Sequence, residues 1–357
     1  MVSDDSSSNG TSSFESQAES VTEYLHRVPG SAPRKRDLRS KLSLDDLVFR
    51  VIARAGGSVV LIVMILVGTF LTYRAAQALH VAGWSFLTTA QWQPDGGGFG
   101  IKAVITGTFI IAAIAIALGV PLAFGTALYI SEYAPQGIKR LLIAAIDLMA
   151  AVPSVIFGLW GFLLLQWKIT SLAVWLSDWF YWIPAFHVNG VRRDDPLTTA
   201  TNFTSSSFDA GIVVALMITP IIASIMREAF SQAPLGEREG AYALGSTRWG
   251  MIRAVVLPFS KGAMIGGTML GLGRALGETL AVTMIIAPVY AVQLHLLQHG
   301  TSSISSLIAL NVPEAVSPFD ISALMAAGLA LFGVTLLVNF IAAQIVARSR
   351  SGALSEA

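Results

Sequence analysis

Long apolar runs separated by shorter polar stretches fill the chain from residue 55 onward, whereas residues 1–42 contain none. An α-helix rises 1.5 Å per residue, so a bilayer core of about 30 Å takes about 20 apolar residues to cross. Windows near 55–74, 102–130, 141–166, 210–227, 261–288 and 322–347 reach that length. They predict an all-α, polytopic membrane protein with six transmembrane helices, in a domain running from 43 to 357. Ahead of the first window, "SLDDLVFRVIARAG" places Leu44, Leu47, Val48, Val51 and Ile52 on one helical face, with Ser43 and Asp46 spaced as a capping box. That stretch is expected to form a short amphipathic helix on the membrane surface. Residues 1–42 are polar and low in complexity, and are expected to be a disordered cytoplasmic tail without a cleavable signal peptide.

Composition agrees with a membrane protein: 54% of residues are hydrophobic and 13% charged, against roughly 25% charged in soluble domains. The net charge of +1 conceals an uneven distribution. Seventeen of the 23 Lys and Arg residues precede the first window, follow the second or sixth, or lie between the fourth and fifth. Five others, Arg74, Lys102, Lys168, Arg192 and Arg193, fall at the opposite ends. Cytoplasmic loops are the ones enriched in Lys and Arg, so both termini and the 228–258 loop are expected in the cytoplasm of a cell-membrane protein. The 167–209 segment then becomes an outer insert. Its Trp175, Trp179 and Trp182 suit an interfacial helix along the outer leaflet.

No enzyme motif is present. The chain has no cysteine, no Gly-x-x-x-x-Gly-Lys phosphate loop, no His-Glu-x-x-His and no Gly-x-Ser-x-Gly. His295 and His299 have an i, i+4 metal spacing but sit in an expected outer loop without a carboxylate nearby, which favours a solvated role and no metal site. If ATP is used, a partner chain must hydrolyse it.

The most informative loop reads "REAFSQAPLGEREGAYALGSTRWGMIRAVVLP". Pro234 and Gly236 interrupt one helix, "EREGAYAL" forms a second, Gly245 caps it, and the chain restarts before Pro258. A short helix between breakers makes a docking knob. This loop resembles the EAA signature of ABC importer permeases. Glu239, Gly240 and Ala241 occupy the Glu-Ala-Ala positions, Gly245 follows after three residues, and Val255, Leu257 and Pro258 match Ile-x-Leu-Pro after nine more. Gly240 and Val255 depart from that signature but keep small or β-branched character. From about residue 45 onward, "FGIKAVITGTFIIAAIAIALGVPLAFGTALYISEYAP", "IDLMAAVPSVIFGLWGFLLL" and "GLGRALGETLAVTMIIA" resemble the phosphate-permease branch. "PSVIFGLWG" and "GLGRALGETLAV" favour the sister of the PstA-like subunit.

The resemblance implies a type I ABC importer permease fold and ATPase-coupling roles for Glu239, Gly240, Ala241, Gly245, Val255, Leu257 and Pro258. It also implies a PstA-like homologous permease, two PstB-like ATPase subunits holding ATP-Mg, and a PstS-like phosphate-binding protein. Membrane lipid is the remaining partner, nucleic acid is not one, and no cofactor is expected on this chain.

Arg274 and Glu278 stand in the fifth window, where each charge costs roughly 2.5–3.5 kcal/mol at bilayer depth. On an uninterrupted helix they would share a face and neutralise each other. A structural ion pair is one reading. A substrate pathway is the other, since a guanidinium presents paired donors to phosphate oxygens. Three Gly-x-x-x-Gly repeats, Gly262 to Gly266, Gly267 to Gly271 and Gly273 to Gly277, suit either close packing or movement. The implied activity is one half of a phosphate pathway driven by a separate ATPase. A sulfate or phosphonate permease and a non-conducting scaffold or sensor remain open.

Overall fold

A computed structural model describes residues 44–96, 98–189 and 200–350. The expected tail and Ser43 lie outside the described residues, as do Arg192 and Arg193 of the insert. The chain divides into a unit through Ile62 and a second from Val63 to Ala357.

Helix α1, Leu44–Ala82, contains the expected amphipathic stretch and the first window without a break. Propagating a helix is cheaper than starting a new one, and no proline interrupts this run, so a separate surface helix does not form. After a short hairpin come α2, Lys102–Leu128, with a π-helical turn at Tyr129–Tyr133, and α3, Gln136–Ala151. Then follow α4, Ser154–Trp179, α5, Ser207–Ser231, α6, Leu235–Ala243, and α7, Arg248–Gly277. The last are α8, Leu280–Ile285, α9, Ile304–Asn311, and α10, Pro318–Arg350. Helices α1, α2, α4, α5, α7 and α10 are long and apolar enough to cross a membrane.

Two expected spans are corrected. The 141–166 window is split at Val152, which is extended (ψ 128°) ahead of Pro153. Proline disfavours the helical region for the residue before it and offers no N–H. The crossing helix is therefore α4, and Trp175 and Trp179 extend it instead of forming an interfacial helix; Trp182 lies past its end. The 261–288 window is also split, because α7 begins earlier, at Arg248, and stops at Gly277. Pro258 does not end that segment. It follows a π-helical turn at Ile252–Val256, where the widened backbone absorbs a missing donor.

The main core lies between α2 and α5, extended by α7 and α8. Small residues set the spacing. A Cβ on Gly211 would fall 2.5 Å from Ile114 Cγ2, and one on Gly107 would collide with the carbonyl oxygen of Ser302. Of the three glycine repeats, Gly267 and Gly271 face α5, where a Gly271 Cβ would collide with Ile222 Cδ1, while Gly266 and Gly277 face open space. A second core joins the antiparallel hairpin Trp92–Gln93 and Gly98–Phe99 to α10, with Phe99 edge-on to Phe319.

Candidate functional site

The segment between α5 and α7 is built from local signals. Pro234 supplies the extended N-terminal boundary of α6 (ψ 130°), whereas Gly236, expected as a breaker, lies within the first turn of that helix. At the other end Gly245 has φ +81°, the left-handed conformation that glycine adopts without a Cβ penalty. Its N–H donates to Tyr242 O at 2.9 Å, and that of Ser246 donates to Ala241 O at 3.1 Å. This is the two-bond helix stop that a C-terminal glycine permits. Thr247 then caps α7 by accepting from Gly250 N–H.

Glu239 and Gly240 are exposed on α6, and Ala241 and Leu257 pack inward against the main core. Val255 is half-buried in the π-helical turn and Pro258 is exposed. Around the turn, Leu235, Tyr242, Leu244 and Trp249 are all exposed, Leu244 at 89%. A short helix with polar Glu239 beside exposed apolar side chains has the makeup of a binding surface.

Beneath it lies an ion pair that sequence reading missed. Arg238 Nη1 donates to Glu132 Oε2 at 3.0 Å, with the side chains 17% and 4% exposed. The same guanidinium donates through Nε to Ala233 O and through Nη2 to Phe230 O, satisfying carbonyls at and beyond the end of α5. Ser131 Oγ donates to the other Glu132 oxygen at 2.8 Å. The partners are 106 positions apart, so no spacing rule could find them.

Arg274 and Glu278 do not form the expected helical pair. Helix α7 stops at Gly277 and Glu278 is extended (ψ 123°), which removes the i, i+4 register between them. Glu278 is 8% exposed and its Oε1 accepts the Ala281 N–H at 3.2 Å, so the carboxylate starts α8. Its carbonyl accepts Ser305 Oγ at 2.6 Å. Arg274 is exposed in the last turn of α7, and among the described residues the ion pair formed is Arg238 with Glu132, not Arg274 with Glu278. A cation in a last turn is favoured by the helix dipole.

Hydroxyl residues, also missed, cap and tie neighbouring helices. Ser206 and Asp209 form a capping box at α5, and Ser303 and Ser306 form one at α9. The Ser-x-x-Asp spacing at 206–209 is a readable signal. Thr108 Oγ1 accepts Ile304 N–H at 3.0 Å, tying α9 to α2. His295 Nδ1 bonds Pro184 O and His299 Nδ1 bonds Thr204 O, each at 2.8 Å, so both rings fasten their loop to the segment after α4. Among the described residues no group of three His, Cys, Asp or Glu is arranged to hold a metal.

Six long apolar helices among the described residues, one preceded by a short exposed helix and followed by a polar break, make a multi-pass membrane protein. Residues 119–351 match the family model described as binding-protein-dependent transport system inner membrane component, and the chain belongs to that family. It is 37% identical to the phosphate transport system permease protein PstC of Xylella fastidiosa (strain 9a5c), over 92% of this chain and 98% of that one. PstC 2 of Mycobacterium tuberculosis is also 37% identical, over 85% and 93%. Among solved structures, a chain of the bacterial alginate ABC transporter in complex with its alginate-bound periplasmic protein superimposes with a TM-score of 0.55. That match covers 84% of this chain and 94% of that one at 17% identity, a likeness of fold.

Proposed function

We propose that this chain is the permease subunit of an ATP-driven inorganic phosphate importer, pairing with a PstA-like permease above two PstB-like ATPase subunits and receiving phosphate from a PstS-like binding protein. The reading is carried by Arg274: an exposed guanidinium without an ion-pair partner among the described residues, on a helix long and apolar enough to span a membrane, in a chain similar over 92% of its length to a phosphate permease. Phosphate offers paired oxygens that a guanidinium binds through two donors. Arg274 receives the anion, and Glu278 keeps the adjoining helix break open by starting α8. Because this carboxylate is bonded to its own backbone turn, it does not need to be displaced from Arg274 for the anion to bind.

The α6 segment, with Glu239, Gly240, Ala241 and Gly245, docks on the ATPase. Val255, Leu257 and Pro258 continue it into α7. The basic residues Arg227, Arg238, Arg248 and Arg253 support a cytoplasmic location for it, with both termini on that side. ATP-Mg binds the partner, not this chain. The test is radiolabelled phosphate uptake by the reconstituted assembly, with sulfate as competitor. ATP-dependent uptake resistant to sulfate is expected. Equal inhibition by sulfate would overturn the substrate, and an assembled complex that hydrolyses ATP without uptake would favour a sensor.

A further inference from the structure

The docking segment is connected through the backbone to α5 and α7, and side chains on either side of its glycine turn also reach a third element. Arg238 lies before the Gly245 turn and Arg248 after it, and they reach consecutive residues at the end of α2. Arg238 pairs with Glu132, and the Arg248 guanidinium carbon lies 5.3 Å from the centroid of the Tyr133 ring. Glu132 and Tyr133 close the π-helical turn Tyr129–Tyr133, beyond which the chain turns at Ala134 and Pro135 into α3. Buried ion pairs seldom stabilise a protein more than apolar packing would. What this one supplies is direction: a planar guanidinium bonded at once to Glu132, Phe230 O and Ala233 O can hold the ends of α2 and α5 in only one arrangement.

We infer that Glu132 and Tyr133 form a joint, gripped by Arg238 and Arg248, that makes the end of α2 move with the docking helix when the ATPase closes. The inference rests on the docking role proposed for α6. These are positioning residues: none is assigned a contact with phosphate or ATP. Without the joint, α6 would still pull on α5 and α7 through the chain, but the π-helical end of α2 could lag behind.

The test uses the full complex in lipid, with spin labels replacing Tyr129, at the start of the joint, and Leu244, which is 89% exposed. Their separation is measured without nucleotide and with ATP trapped. In the parent complex the separation should remain constant between states. In Glu132→Gln it should change between states, and phosphate taken up per ATP hydrolysed should fall several-fold more than complex yield. Tyr133→Leu, which leaves no buried charge unpaired, should produce a smaller change in the same direction and covers the case in which Glu132→Gln does not assemble. A constant label separation in the variant that assembles would overturn the joint, as would uptake per ATP equal to the parent. If the parent complex binds its ATPase but takes up no phosphate, the proposed function fails and the label separation alone decides the joint.

Discussion

Arg238 and Arg274 are set against each other by their surroundings. Each lies on a helix in the second half of the chain, but only Arg274 has its expected carboxylate partner four residues further along the sequence. Arg238 is held by Glu132 and two backbone carbonyls, whereas Arg274 has no such acceptor among the described residues. The pair expected from a separation of four residues is absent because the helix ends between its members. The pair across 106 residues is present because α2 packs along α5 and brings Glu132 beneath α6. Sequence proximity signals an ion pair only if the backbone continues through it. A guanidinium immobilised by three acceptors is suited to transmit position, and one left open is suited to exchange ligands.

The largest effect should come from the open arginine. Arg274→Gln is expected to end phosphate uptake in a complex of normal yield, and Arg274→Lys to retain part of it, since lysine keeps the charge but not the planar donors. The double variant Arg274→Leu, Glu278→Leu should remain inactive. Recovered uptake there would make the two residues a structural pair after all and erase the contrast with Arg238.

Glu278→Ala ranks next. It leaves the Ala281 N–H without its acceptor in a buried setting, at a cost of about 1–3 kcal/mol. The thermal midpoint of the purified complex should fall while the phosphate concentration for half-maximal uptake stays the same. A changed half-maximal concentration at unchanged stability would instead place Glu278 on the anion's path.

Gly245→Val sharpens the other side of the comparison. A β-branched residue at φ +81° costs about 1–2 kcal/mol and disturbs the turn that separates Arg238 from Arg248. Insertion should be normal, with ATPase association or its stimulation by binding protein reduced. Unchanged uptake and stimulation would separate the turn from docking.

Trp182→Ala should do least. The side chain is 68% exposed beyond the end of α4, and changes at such positions usually stay within about 0.5 kcal/mol. Complex yield and uptake should both match the parent. A loss of uptake at full yield would point to a role in receiving the binding protein.

Much of this architecture is legible from short stretches of chain. Apolar length alone locates helices able to cross a bilayer, because every span must satisfy its backbone internally. Gly245 is readable as a helix stop because the Cβ penalty at positive φ is a local cost. Other features require partners distant in sequence. The windows at 141–166 and 261–288 look continuous, since hydropathy registers side chains and not the dihedral angles at Val152 or Glu278. Pro153 carries a local warning of the first break. The second has no comparable signal: Glu278 leaves the helix where its carboxylate caps α8 and its carbonyl meets Ser305.

The sequence by itself determined the membrane class, the approximate places of the long apolar helices and the short helix α6 with its glycine stop, because apolar length and local dihedral cost act over a few residues at a time. Only the tertiary structure decided which charges pair. A buried carboxylate must find its donor wherever packing brings one, and for Glu132 that donor is Arg238, while Arg274, without an acceptor among the described residues, stands at the end of a helix that its expected partner no longer shares.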